Sequence, residues 1–186
     1  MTADIFPSYV LEPKKTIDSI TWFLNPIAEP PQKFLDIRNK NCDTDIYSDL
    51  LLKEGFVVRH VQLSEVISKS KNDLDDDSSL PAEWFNIIFS LANDERVDHF
   101  DEIVRTIHGL LRPSSYFIFE TKIDNNLDYI KETLLGAFES VNFLSPWSNL
   151  TTNPFSPFDS SRSNYCWVAA LSHSSDKDPG EWMDNL

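Results

Sequence analysis

Glycine is nearly missing from this chain: Gly55, Gly109, Gly136 and Gly180 are all it has in 186 residues. A loop that cradles phosphate needs several glycines close together so that backbone can approach the ligand. These four are scattered, so that class of site is excluded. Cysteine is as scarce, with only Cys42 and Cys166, too few for a disulfide framework or a zinc set. No metal site is expected, and His99 and His108 are not metal-spaced. No Ser-His-Asp set for nucleophilic catalysis is present either. Basic residues are in deficit, 16 Lys and Arg against 30 Asp and Glu, for a formal charge of −14. Affinity for phosphate backbones rests on Lys and Arg, so direct nucleic-acid binding is not expected. No apolar run approaches membrane-spanning length, and no basic stretch leads into an apolar one at the start. The expectation is an intracellular protein, cytoplasmic or nuclear, without membrane contact.

What the chain does have is apolar bulk. Hydrophobic residues make up 41% and include 13 Phe, enough to build a core and to exclude disorder throughout. The most informative stretch runs from Trp84 to Thr121. Phe85, Ile87, Ile88 and Phe89 form a run too short for a helix and rich in β-formers. Ile103, Val104, Ile107, Leu110 and Leu111 recur at helical spacing until Pro113 breaks the pattern. Tyr116, Phe117, Ile118 and Phe119 make a second continuous apolar strand. Strand, helix, strand without polar alternation marks a parallel sheet covered on both faces.

The remaining elements follow the same logic. A short helix around Ile17, Ile20, Trp22, Phe23 and Leu24 ends at Asn25-Pro26, within an N-terminal extension over 1–30. Lys33 to Ile37 is the first core strand. Asp45 to Glu54 is a helix ended by Gly55, and Phe56 to Val61 is the second strand. Lys69 to Ser79, loaded with Asp, is a loop. A helix follows around Leu127, Ile130, Leu134 and Leu135, then strands at Val141 to Leu144 and Tyr165 to Leu171. The stretch Ser145 to Asn164 is a long loop or hairpin. The domain spans 1–171, and 172–186 is an acidic tail expected to be disordered. Cys166 is a buried strand residue. Phe34, Ile37, Val58, Ile87, Phe89, Ile118 and Phe119 are the expected deep core.

Three local patterns carry a resemblance to a known family. Phe34-Leu35-Asp36-Ile37 is similar to the first strand of class I S-adenosylmethionine-dependent methyltransferases, with an acidic residue near its end. Gly55-Phe56-Val57-Val58 followed by Leu63-Ser64-Glu65 resembles the second strand and its turn. Leu110-Leu111-Arg112-Pro113-Ser114-Ser115-Tyr116 resembles the family's Leu-Leu-Lys/Arg-Pro-Gly-Gly-aromatic entry into the fifth strand. The resemblance implies an α/β, three-layer, Rossmann-like, seven-stranded methyltransferase fold with a mostly parallel sheet and one antiparallel strand near the C-terminus. It also implies that a degenerate cofactor site would draw on Asp36, Asn39, Asn41, Gln62 and Glu65. Asp36 either holds the cofactor's amino end or caps the loop that follows. Asp94 and Glu95 lie where family members place catalytic or substrate-facing groups, and they equally suit the solvated start of a helix.

The departures fall on the cofactor. The loop Arg38-Asn39-Lys40-Asn41-Cys42-Asp43 has no glycine where the family's backbone approaches the methionyl and ribose groups. Asn39 and Asn41 tolerate left-handed backbone but keep their side-chain bulk. Gln62 stands where a carboxylate would accept from the ribose hydroxyls, with less acceptor capacity and no charge. The side chain of Arg38, Asn39 or Lys40 is expected to obstruct the methionyl end. The expectation is a non-catalytic structural or regulatory subunit with no cofactor. It would act through protein contacts with an active methyltransferase or a basic protein surface. An active S-adenosylmethionine-dependent methyltransferase with an atypical loop and an unknown substrate is the alternative, and a pocket for another small molecule is a third. Trp147, Phe155 and Phe158 on the polar loop, with Trp182, Met183 and Leu186 in the tail, are the candidate partner contacts.

Overall fold

The computed structural model describes residues 13–24, 32–38, 45–66, 80, 84–91, 100–122, 126–146, 155–157 and 165–174. Helix α1 (Pro13–Thr21) opens on proline, whose fixed φ and missing N–H suit the first helical position. Strand β1 (Lys33–Arg38) and helix α2 (Asp45–Lys53) follow. The exit from α2 depends on Gly55, at φ +90°. Its N–H donates to the Leu52 carbonyl at 3.0 Å, and that of Phe56 to the Leu51 carbonyl at 3.1 Å. This paired closure requires a left-handed residue at that position. Strand β2 (Val57–Gln62) then runs into one helical turn at residues 63–66.

Strand β3 (Phe85–Ser90) precedes helix α3 (Phe100–Leu110), which carries Asp101 and Glu102 in its first turn and His108 in its last. Both placements suit the helix dipole. Strand β4 (Leu111–Lys122) begins directly after α3. Helix α4 (Leu127–Leu135) is capped by Asn126, whose side-chain oxygen accepts from the Tyr129 N–H at 3.2 Å. Strands β5 (Ser140–Pro146), β6 (Phe155–Pro157) and β7 (Tyr165–Leu171) complete the set.

These strands form one sheet of seven in the order β2-β1-β3-β4-β7-β5-β6. The pairs β1–β2, β1–β3 and β3–β4 are parallel, with Ile87 beside Tyr116 and Phe89 beside Ile118. Strand β7 is antiparallel to β4 and β5, and β6 is antiparallel to β5. The mostly parallel α/β sheet is therefore as the sequence implies. Two strands run in reverse rather than one, because β6 as well as β7 pairs antiparallel with β5.

Two apolar clusters explain the unbroken hydrophobic runs. On one face Phe34, Ile87, Phe89, Ile118 and Trp167 pack with Ile17, Ile20, Tyr47 and Leu51 of α1 and α2. On the other, Leu35, Ile37, Ile88, Phe117 and Val168 pack with Ile103, Val104, Ile107, Ile130 and Leu134 of α3 and α4. Helices thus cover both faces, and consecutive strand residues are all buried. Of the expected deep core, Val58 departs: it is only partly buried. It lies on β2, which ends the sheet among the described residues.

Ser172, placed in the polar tail by its sequence, is buried. Its hydroxyl accepts from the Ser115 N–H at 2.8 Å and donates to the Arg112 carbonyl at 2.7 Å. The Ser114 N–H donates to the His173 carbonyl at 3.0 Å. This staple holds Ser114 at φ +57°, a left-handed conformation costing a non-glycine residue about 1–2 kcal/mol. Replacing Ser114 by glycine removes that strain and adds some unfolded-state entropy. Urea unfolding of Ser114→Gly is expected to give a net gain of about 1 kcal/mol. A loss of stability would mean that the exposed hydroxyl has an unseen role.

Candidate functional site

In a parallel sheet the chemistry collects where strands end and side chains from neighbouring strands line up. At the end of β1, Asp36 and Arg38 project to the same face, being two residues apart. The parallel register sets His60 of β2 beside Asp36 and Gln62 beside Arg38. Helix α2 packs on that face and brings Ser48, itself buried.

These side chains close on one another. The Arg38 Nε–H donates to Asp36 Oδ2 at 2.7 Å, and the Ser48 hydroxyl donates to the same oxygen at 3.0 Å. Arg38 Nη2 donates to Ser48 Oγ at 2.9 Å and reaches His60 Nδ1 at 2.9 Å. Arginine only donates, so that last contact is a hydrogen bond when Nδ1 is bare and the imidazole proton sits on Nε2. Since the Ser48 proton points to Asp36, the 3.1 Å approach of Ser48 Oγ to His60 Nδ1 is a packing contact in that tautomer. Asp36 and Arg38 side chains are 3% and 10% exposed, whereas His60 is 43% exposed and 3.6 Å from Asp36 Oδ2.

A buried carboxylate must be neutralised by the protein itself. Here the cation comes from two residues along the same strand. Asp36 is engaged inward, by Arg38 and Ser48. Arg38 folds back along β1 and lies against Asp36. Gln62 is half-buried, and its Oε1 is shielded from water with no hydrogen-bond partner among the described residues. Glu65 is exposed on the helical turn after β2.

Asn39, Asn41, Asp94, Glu95, Trp147, Phe158, Trp182, Met183 and Leu186 lie outside the described residues, as does the side chain of Phe155 at the start of β6. Sequence inspection missed Ser48 and His60. The register of β1 against β2 is the signal that would have found His60, and Ser48, one residue after Tyr47 and three before Leu51, is hidden with them on the core side of α2.

Elsewhere, burial first and the nearby Glu120 carboxylate second push the Cys166 thiol up to about 12. It is not a nucleophile. Tyr116 is likewise raised, by burial and then by Glu139. Among the described residues no cluster of His, Cys, Asp and Glu fits a metal ion, and no helix is long and apolar enough to cross a membrane.

Solved structures define the fold. The chain aligns over 89% of its length with all (100%) of a Listeria monocytogenes protein described as an S-adenosylmethionine-dependent methyltransferase, at 15% identity and TM-score 0.52. It aligns over 87% with phosphoethanolamine N-methyltransferase 2 of Haemonchus contortus, at 12% identity and TM-score 0.52. That structure contains phosphomonomethylethanolamine and S-adenosylhomocysteine. The methyltransferase (CMeT) domain of the citrinin polyketide synthase matches 77% of the chain at 14% identity and TM-score 0.47. The chain spans about half the length of these last two proteins, 53% and 47%. No protein-family model and no curated protein matches the sequence. The fold is the Rossmann-like fold of class I S-adenosylmethionine-dependent methyltransferases.

Two expectations follow from the site. Arg38→Ala strands a buried carboxylate and is expected to destabilise the protein by about 3–5 kcal/mol. Arg38→Ala/Asp36→Asn, which removes both charges, should recover a large part of that loss in urea unfolding. Equal losses in the single and double variants would show that charge is not the cause. In a Cys42→Ser background, Cys166 is expected to resist thiol reagents at pH 9 while folded and to react once unfolded. Its raised value means that the folded state holds the proton longer than the unfolded state. Stability from this group is therefore full below the unfolded value of 9.0 and falls as pH rises towards about 12.

Proposed function

We propose that this chain is a methyltransferase-fold protein that does not turn over S-adenosylmethionine and serves as a structural or regulatory subunit through protein contacts. One observation carries this reading: the Asp36 carboxylate at the end of β1 is bound by Arg38 and Ser48 of the same chain. Arg38 opens the loop in which the family resemblance has glycines. A cofactor bearing a sulfonium and an ammonium would meet a guanidinium there, with Asp36 already neutralised. The fold hosts many activities and does not supply one by itself.

A second reading, an active S-adenosylmethionine-dependent enzyme with an atypical loop, is favoured by Gln62. Its shielded, unpartnered oxygen at the end of β2 is suited to accept a bond from a ligand hydroxyl. Calorimetric titration with S-adenosylmethionine and S-adenosylhomocysteine separates the two. No binding at millimolar ligand is expected, and micromolar binding would overturn the subunit reading.

The partner surface we infer comprises Trp147, Phe155 and Phe158 with the tail residues Trp182, Met183 and Leu186. Large apolar groups set among acidic residues favour a basic protein surface through steering, and a related active methyltransferase is one such partner. Trp147→Ala/Phe155→Ala, or removal of residues 180–186, is expected to weaken capture of partner proteins while leaving the circular dichroism of the sheet unchanged. Retention of the same partners by both variants would sink this assignment.

A further inference from the structure

Arg38 is held as a ligand is held. Among the described residues its guanidinium meets acceptors from three different elements: Asp36 Oδ2 of β1, Ser48 Oγ of α2 and His60 Nδ1 of β2, at 2.7, 2.9 and 2.9 Å. An arginine on a surface ion pair commonly meets one carboxylate in water; here three acceptors, 3.0 to 3.6 Å from one another, converge on Nε and Nη2. The acceptors also stand without Arg38's help. Asp36 sits between buried Leu35 and Ile37, Ser48 is buried on α2 beside Tyr47, and His60 is placed by the β1–β2 register. Arg38, by contrast, is the last residue of β1. The acceptor set is built into the sheet and its helix, and the occupant is carried on the strand's last residue.

We propose that Asp36, Ser48 and His60 form a cup for an organic cation, and that Arg38 is the chain's own displaceable occupant. The contact is autoinhibitory: it closes this strand end to any external ligand presenting a guanidinium or ammonium group. The charge of the cup sets that ligand class. With neutral His60 it carries one carboxylate, so a neutral or anionic occupant would leave Asp36 uncompensated in a buried place. The proposal rests on the reading above only in taking the wild-type end of β1 as closed.

Methylguanidinium chloride is the probe, at millimolar concentration against sodium chloride of the same ionic strength. Arg38→Ala is expected to melt several degrees below wild type. Methylguanidinium should restore at least half of that difference, saturably, and leave wild type and Arg38→Ala/Asp36→Asn unmoved. Absence of a gain over the salt control, or an equal gain in the double variant, overturns the cup. Should Arg38→Ala fail to fold, the wild-type protein still decides. Its Arg38 Nε–H proton, seen by nitrogen-15 NMR, is expected to exchange at least tenfold more slowly than that of exposed Arg105, and equal rates overturn the proposal. Binding of S-adenosylhomocysteine to wild type would overturn the functional reading, whereas failed guanidinium rescue overturns the cup whatever that cofactor does.

Discussion

Helices cover both faces of the sheet, so water reaches its strands mainly at their ends. Strand β1, lying between β2 and β3, carries this constraint most heavily: Phe34, Leu35, Asp36 and Ile37 are all buried. Apolar side chains meet it by joining one core or the other. Asp36 cannot, and a charge in that position must find its counter-charge within the protein. Everything distinctive about the site follows from how this chain solves that problem.

The solution is local in sequence and global in assembly. Arg38 is two residues away and on the same face, so its guanidinium can fold back along the strand. Ser48 arrives because α2 packs its buried side, with Tyr47 and Leu51, against the same face. His60 arrives because β2 pairs with β1 in a parallel register. A glycine at position 38 would have left the Asp36 carboxylate to be compensated by whatever entered from outside. The arginine compensates it from within.

Much of the architecture was legible before any coordinates. Continuous apolar runs at Phe85–Phe89 and Tyr116–Phe119 announced two-sided burial, and the helical spacing from Ile103 to Leu110 placed a helix between them. Gly55 marked the end of α2 through backbone geometry that few other residues adopt. The errors were of a consistent kind. Val58 looked like core because its neighbours in sequence are apolar, but its strand ends the sheet among the described residues. Ser172 looked like tail because it opens a polar stretch, but its hydroxyl staples Arg112 and Ser115 of β4. Both depend on which strand lies alongside, a property that no window of sequence contains.

The site divides along the same line. Sequence alone determined that the β1 end lacks the glycines for close backbone approach, that Arg38 brings positive charge there, and that Gln62 carries an uncharged amide. These are facts about residue type, and residue type sets chemistry directly. Only the tertiary structure decided that Arg38 turns inward to Asp36, and that Ser48 and His60 lie within hydrogen-bond distance of the same guanidinium. Those contacts join residues 10 and 22 positions from Arg38. They form because sheet register and helix packing bring three separate elements within hydrogen-bond distance of one buried charge.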